Sequence, residues 1–159
     1  MKVTKGGDIV NEASGEIIIG KGKGMVADGD NGEATPVASL AVNKGLIKID
    51  GDAYSVGMYA TNGGKVVNEG KIEVGNGGNG MVAAGTNSIA YNKGQITITG
   101  AGAEGMHAES GGVIVNDGTI TLEAGSVGLY ATDAGSKIYN TGTIKIDVDS
   151  CSGDACSTD

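Results

Sequence analysis

Apolar and polar residues alternate in short segments that recur along this chain about every 24 residues. Each period holds three segments. The first reads Gly-[Met/Leu]-x-Ala, the second is a short aliphatic run that ends at asparagine, and the third reads Gly-x-Ile-x-aliphatic. Alternation with a period of two places successive side chains on opposite faces of a β-strand, and a fixed period of about 20 to 50 residues indicates a repeat architecture. The pattern therefore predicts an all-β fold, a parallel β-helix (β-solenoid) with three short strands in each coil.

The same alternation predicts which side chains fill the interior of the coil. The inward residues of the first segment are Met58, Met81, Met106 and Leu129, each with the Ala two residues later. Those of the second segment are Val66, Ala90, Ile114 and Ile138, and the third segment turns both of its aliphatics inward. Burying one such large side chain is worth roughly 1.5–3 kcal/mol. Because a single coil cannot bury these residues alone, each coil is expected to depend on its neighbours for a core.

One asparagine closes the second segment of each repeat. These residues are Asn43, Asn68, Asn92, Asn116 and Asn140. An amide carries both donors and an acceptor, so copies stacked about 4.8 Å apart are predicted to bond one another in an unbroken column. Asparagine also tolerates left-handed backbone, which we expect at this corner. Asn11 ends a similar run, but its next glycine-led strand starts two residues late, so Asn11 is predicted to lie outside the column.

Departures from the period divide the chain into three parts. Residues 1–23 are predicted to form an irregular first coil, and residues 24–146 carry the β-helix repeats. An insertion at 28–36 interrupts the first full repeat and is expected to protrude as a loop. Residues 147–159 lose the pattern and form an acidic tail rich in Gly and Ser, with two cysteines.

Composition excludes several classes of protein. The chain has 159 residues, and its 31 glycines do not fall at every third position as they do in collagen. A flexible glycine-rich linker is also excluded, because aliphatic residues recur in register between the glycines. Its net charge is −8, and all 11 basic residues are lysines, which argues against a nucleic-acid partner and against Arg-type recognition of anions. No apolar run approaches the roughly 18 residues of a membrane helix, and the first 20 residues contain no apolar signal segment. We therefore expect either a cytosolic protein or a segment of a larger secreted chain.

Candidate chemistry is sparse. The insertion presents Asp28, Asp30 and Glu33, a candidate contact loop that departs from the calcium-loop pattern, so a solvated loop is favoured over weak calcium binding. Cys151 and Cys156 favour a small disulfide loop or an inert pair over a metal site. The lone histidine, His107, is predicted to point outward. We predict no catalytic residue, no metal site and no cofactor.

The sharpest functional feature is an apolar column at outward positions of the second strand. Its members are Val42, Val67, Tyr91, Val115 and Tyr139. Exposed apolar stripes often mark partner sites, which predicts a contact surface here. The alternative is that the strand bends before asparagine and the corners cover this column.

The run from Gly57 to Val74, GMYATNGGKVVNEGKIEV, resembles the passenger-domain repeats of large type V autotransporter adhesins of Gram-negative bacteria. The similarity covers residues 24–146. It implies a right-handed coil, a place at the cell surface, and adhesive or spacer duty toward a protein or glycan receptor on another cell. The secretion signal and membrane anchor of that family are not in this sequence, so we expect a segment of a longer, secreted or outer-membrane-anchored chain.

Two further functions stay open at this point. One is a fragment of a polysaccharide-active β-helix enzyme, which the absence of Arg and of clustered carboxylates disfavours. The other is a structural module that self-associates end to end or through its strand edges.

Overall fold

The structure is a computed structural model, which describes residues 1–29, 37–51 and 54–147. These residues form a right-handed parallel β-solenoid of about six coils and about 24 residues per coil, with no helix among them. Each coil contributes one strand to each of three six-stranded sheets. The predicted fold is therefore confirmed.

The strands are short and follow the three sequence segments. Coils one to three contain β1 (Lys2–Thr4), β2 (Asp8–Asn11), β3 (Glu16–Ile19), β4 (Lys23–Asp28), β5 (Leu40–Asn43), β6 (Leu46–Ile49), β7 (Val56–Thr61), β8 (Lys65–Asn68) and β9 (Lys71–Val74). Coils four to six contain β10 (Asn79–Ala84), β11 (Ile89–Asn92), β12 (Gln95–Ile98), β13 (Glu104–Glu109), β14 (Val113–Asn116), β15 (Thr119–Glu123), β16 (Val127–Ala131), β17 (Lys137–Asn140) and β18 (Thr143–Asp147).

Strands stack in parallel and in register, so equivalent residues form columns along the solenoid. Sheet 1 runs from β1 through every third strand to β16, sheet 2 from β2 to β17, and sheet 3 from β3 to β18. Met58 pairs with Met81, and Met81 with Met106. The core is thus a set of continuous columns rather than one central cluster.

The interior matches the predicted pattern in the first five coils. The methionines Met25, Met58, Met81 and Met106 are fully buried, and so are Val66, Ala90 and Ile114. The sixth coil differs: Ile138, Ile144 and Ile146 share the register of buried residues but are 38%, 40% and 64% exposed. They lie in the inward columns as predicted, and they are exposed because no described strand packs against the far side of this coil.

The first coil is more regular than predicted. Its strands β1, β2 and β3 pair in register with those of the second coil. The two extra residues form a turn that closes where the Gly15 N–H donates to the Glu12 carbonyl at 2.7 Å. Because the turn absorbs the insertion, the strands on either side keep their register.

Candidate functional site

The asparagines form one continuous hydrogen-bonded ladder along the corner between sheets 2 and 3. In every step the Nδ2 of one asparagine donates to the Oδ1 of the asparagine in the next coil at 2.8 Å. The four interior members, Asn43, Asn68, Asn92 and Asn116, are fully buried. Buried amides need such partners, because an unsatisfied polar group is costly in a low-dielectric interior. The five predicted asparagines thus all belong to the column.

Two expectations about this corner were wrong. Asn11 was predicted to lie outside the column, yet it donates to Asn43 and is only 6% exposed, since the extra residues loop out after it. The ladder asparagines were also expected to adopt left-handed backbone, but none of them has a positive φ. Positive φ occurs instead at other corners, for example at Asn62 and Asn87. The amide bonds, not the backbone conformation, explain asparagine here.

The glycine two residues after each ladder asparagine is required by close approach of the coils. A Cβ at Gly94 would lie 2.1 Å from the carbonyl oxygen of Gly70, and one at Gly118 would lie 2.2 Å from that of Gly94. Such contacts force the backbone apart, so only glycine fits. The glycine column therefore reflects coil stacking and needs no ligand to explain it.

The corner between sheets 1 and 2 shows a second period, of two coils. The residue before each sheet 2 strand alternates between glycine and serine: Gly7, Ser39, Gly64, Ser88, Gly112 and Ser136. Each serine Oγ accepts an N–H from the preceding glycine-type coil at 3.1 Å, donated by Gly6, Gly63 or Gly111. A side chain at Gly64 or Gly112 would instead meet a carbonyl oxygen at 2.1 Å. This Ser/Gly corner was not predicted, although the alternation is visible in the sequence.

Charges alternate with the same two-coil period beside the asparagine ladder. The residue after the ladder asparagine is Glu12, Lys44, Glu69, Lys93 and Asp117 in the first five coils, and the uncharged Thr141 in the sixth. Lys44 lies 3.8 Å from Glu12, and Asp117 accepts hydrogen bonds from Thr141 and Tyr91, which hold the pKa of its carboxyl below the usual value. Opposite charges on neighbouring strands avoid the repulsion that like charges would cause.

This charged corner forms one wall of an open groove of about 750 Å³ along the solenoid. Glycines of the column after the ladder asparagines also line it, as do Lys71, Gln95 and Thr119 at the starts of sheet 3 strands. The wall residues are of both signs and solvent-exposed or half-buried. The arrangement provides a polar strip that carries both carboxylates and lysine ammonium groups.

The outer face of sheet 2 is unusually apolar. It has two columns: Asp8, Leu40, Lys65, Ile89, Val113 and Lys137 form the first, and Val10, Val42, Val67, Tyr91, Val115 and Tyr139 form the second. The second column contains the predicted partner surface. Val67 is 7% exposed, whereas Val10 and Tyr139 at the two ends are 38% and 53% exposed. The apolar stripe is therefore half-covered in the middle and open at its ends.

The outer face of sheet 1 holds the lone histidine in a polar row. His107 Nδ1 lies 3.0 Å from Glu104 Oε2, and His107 Nε2 lies 3.1 Å from Thr132 Oγ1. The ring also contacts Tyr130, with centroids 5.0 Å apart. A hydroxyl, an imidazole and a carboxylate in line are the parts of an activated nucleophile. The Thr132 N–H donates to the Ala108 carbonyl, however, and so cannot stabilise an oxyanion.

Lys23 and Tyr59 lie on the same face, nearer the start of the solenoid. The Lys23 Nζ sits 3.0 Å from the centroid of the Tyr59 ring, a cation–π contact. Burial lowers the pKa of the Lys23 ammonium, and burial also raises the pKa of the Tyr59 hydroxyl. The contact is therefore part of a desolvated cluster with Val56, Val82 and Ala84.

The candidate contact loop is described only at its start. Asp28 ends β4, where it accepts from Lys2 Nζ and Asn62 Nδ2, each at 2.9 Å. The hydrogen bond from Lys2, followed by that from Asn62, holds the pKa of the Asp28 carboxyl below its usual value. Asp30 and Glu33 lie outside the described residues, as do Cys151 and Cys156.

The described ranges contain neither a metal-binding cluster nor a membrane helix. No group of three or more His, Cys, Asp or Glu residues there is placed to hold a metal ion. Nor do those ranges contain a helix long and apolar enough to cross a membrane.

One known protein family matches this chain over nearly its whole length. The sequence model of the BigA third pectate lyase-like domain matches residues 1–117 and again residues 101–156. The two matches overlap at 101–117, as a chain of similar coils allows. No curated protein and no solved structure gave a match. Since the matches span nearly all of the chain, it belongs to the family of the third pectate lyase-like domain of BigA, a β-helix domain of bacterial surface proteins.

Proposed function

We propose that this domain is a rigid, non-catalytic segment of a bacterial surface adhesin. It acts as a spacer, and its lateral faces contact a protein or glycan receptor on another cell. The parent chain is proposed to be an autotransporter of a Gram-negative bacterium, secreted and anchored at the outer membrane. The observation that carries this proposal is the unbroken asparagine ladder through all six coils.

A continuous ladder supports a spacer because it leaves no hinge. Each coil is joined to the next by three parallel strand pairings and one buried amide bond. Backbone bonds on all three sides resist bending and stretching together, and stacked coils depend on their neighbours for stability. Long, stiff segments of this kind hold a binding region at a fixed distance from a surface.

Rigidity is tested by measuring the distance between two spin labels on one column. Ile18 and Lys145 occupy the same outward column of sheet 3 in coils one and six. Labels at Ile18→Cys and Lys145→Cys, with Cys151 and Cys156 changed to Ser, should give one narrow distribution. Its centre should reflect five coil spacings, about 24 Å between backbones. A broad or multiple distribution would contradict a rigid spacer.

The contact role is tested with beads coated with the purified chain and exposed to host cells and to bacteria. Saturable binding that falls when lateral-face residues are replaced supports contact. If the spin-label distances show a rigid chain but the beads bind neither cells nor bacteria, the spacer role stands and the contact role is wrong.

A catalytic alternative is favoured by one observation, the row of Glu104, His107 and Thr132. The pectate lyase-like description of the family is a resemblance of fold and carries no catalytic evidence either way. The purified chain should be incubated with acidic polysaccharides and with simple esters. We expect no turnover. Turnover that is lost in both Thr132→Val and His107→Gln would overturn the non-catalytic proposal.

A further inference from the structure

We propose that the outer face of sheet 2 binds a second copy of this chain, face to face and with the two solenoid axes antiparallel. The inference goes beyond the spacer role and can fail while that role stands. It rests on the composition of the face and on the positions of two of its charges, Asp8 and Lys137.

The composition of the face differs from that of its neighbour. Nine of its twelve outward positions are apolar, all six of the second column and three of the first. The equivalent outward columns of sheet 3 are mostly polar, with Lys48, Glu73, Thr97, Thr121 and Lys145 in one of them. An apolar stripe confined to one side of a solenoid is a surface that gains free energy when covered.

Two of the three charges on the face select the partner and its orientation, while the third, Lys65, places its Nζ 6.0 Å from the centroid of the Tyr91 ring of its own chain. Asp8 lies in coil one and Lys137 in coil six, both exposed and neither in an ion pair among the described residues. Five coil spacings, about 24 Å, separate them, so they cannot pair within one chain. A two-fold axis along the strand direction places coil one against coil six of the other copy. Asp8 then meets Lys137 of the second copy, and this happens twice in one dimer.

The apolar residues match under the same operation. Val10 and Tyr139, the two most exposed members of the second column, face each other across the axis. Val42 opposes Val115, and Val67 opposes Tyr91. Packing in which each coil meets its own counterpart would instead leave Asp8 and Lys137 against apolar residues, with both charges unpaired.

The size of the face sets the strength of the contact. Six strands at about 4.8 Å spacing and four residues at about 3.3 Å each give a few hundred Å² per copy. Stable dimers bury about 800 Å² per partner. The dimer is therefore weak for isolated chains and strengthened by avidity where many copies are presented together.

The test is sedimentation velocity over a wide range of concentration. Wild type should dimerise at high concentration. Val115→Lys, which places a charge against Val42 of the second copy, should weaken dimerisation at least tenfold, and Asp8→Lys or Lys137→Glu alone should weaken it several-fold. Lys145→Glu, a charge reversal on sheet 3 of the same coil, should have no effect. Far-UV circular dichroism and the thermal midpoint confirm that each variant is folded.

The decisive arm mixes the two charge variants, Asp8→Lys and Lys137→Glu. In a mixed dimer the introduced lysine of one chain meets the introduced glutamate of the other, while the native Lys137 and Asp8 meet at the second contact. Dimerisation should therefore return to the wild-type level when the two variants are combined in equal amounts, and also in the double variant.

Three results would overturn the proposal: a wild type that stays monomeric at millimolar concentration, a dimer unchanged by Val115→Lys, or no recovery in the mixture. Loss of cell or glycan binding in Val115→Lys with a monomeric wild type would assign the face to another partner.

Discussion

Asn92 lies at the centre of the ladder, where it accepts from Asn68 and donates to Asn116. Asn92→Ala removes both bonds and leaves one donor and one acceptor without a partner beside it. Each unsatisfied buried group costs about 1–3 kcal/mol, so the two together should lower the free energy of unfolding by about 2–6 kcal/mol. Denaturant unfolding of the variant measures it.

Asn11→Ala provides the matched control at the end of the ladder. Asn11 makes one ladder bond, to Asn43, so its replacement should cost about half as much. Asn92→Gly should be no more stable than Asn92→Ala, because position 92 has no positive φ for glycine to relieve. Equal and small costs at positions 11 and 92 would mean that the ladder contributes little.

Ser88 tests the Ser/Gly corner at the scale of a single strand connection. Its Oγ accepts from the Gly63 N–H at 3.1 Å and donates to the Ala84 carbonyl at 2.8 Å. Ser88→Ala should therefore lower the free energy of unfolding by about 1–2 kcal/mol, as the Gly63 N–H loses its acceptor. Ser126→Ala is the comparison, since the Ser126 Oγ donates to one carbonyl and accepts no backbone N–H. A larger loss at Ser126 than at Ser88 would contradict this account.

The pairing of β1 with β4 includes an ion pair whose pH dependence can be predicted. The folded pKa of Asp28 is lowered, chiefly by the hydrogen bond from Lys2. A lowered pKa contributes stability above the ordinary value of 3.8, and this contribution is lost as pH falls through the folded pKa. Because Lys2 is 59% exposed, Asp28→Asn should cost less than about 1 kcal/mol at neutral pH.

The measurement for Asp28→Asn is denaturant unfolding of wild type and variant from pH 7 to pH 2. The difference between them should be constant at neutral pH and shrink below the ordinary carboxyl pKa. Asp50→Asn is the control and should cost less at neutral pH, because the Asp50 side chain that pairs with Lys48 is 49% exposed and that of Asp28 is 22% exposed. A difference at Asp28 that grows as pH falls would refute the assignment.

The elements were predictable because each strand carries its own period-two pattern. Register followed as well, since one repeated residue such as Asn68 fixes the position of its whole strand. Features that depend on more than one strand were not predicted. Asn11 was placed outside the asparagine column because the two extra residues in its corner were interpreted as a shift of the strand. The contact of His107 with Thr132 also depends on a neighbouring coil, and so did not follow from the pattern of any one coil.

At the scale of the whole molecule, the repeating unit is two coils rather than one. Serine and glycine alternate at the corner before sheet 2 in all six coils, and acid and lysine alternate beside the ladder in the first five. In both corners one coil supplies what the next requires: a hydroxyl for a backbone N–H, or a charge of opposite sign. The six described coils thus form three pairs, and we expect a deletion to be tolerated best when it removes a whole pair.

Removal of residues 56–103 deletes coils three and four in register and keeps the alternation. Removal of 79–103 deletes coil four alone, which takes Ser88 away from the Gly63 N–H and brings Glu69 beside Asp117. The unpaired N–H costs about 1–3 kcal/mol and the like charges add several tenths. The variant that lacks 79–103 keeps one coil more than the variant that lacks 56–103. We expect the broken alternation to cancel most of the stability that this additional coil would contribute. Thermal and denaturant unfolding of both variants test this. If the variant that lacks one coil exceeds the variant that lacks two coils by the full free energy that a coil contributes, single coils are interchangeable and the two-coil unit is wrong.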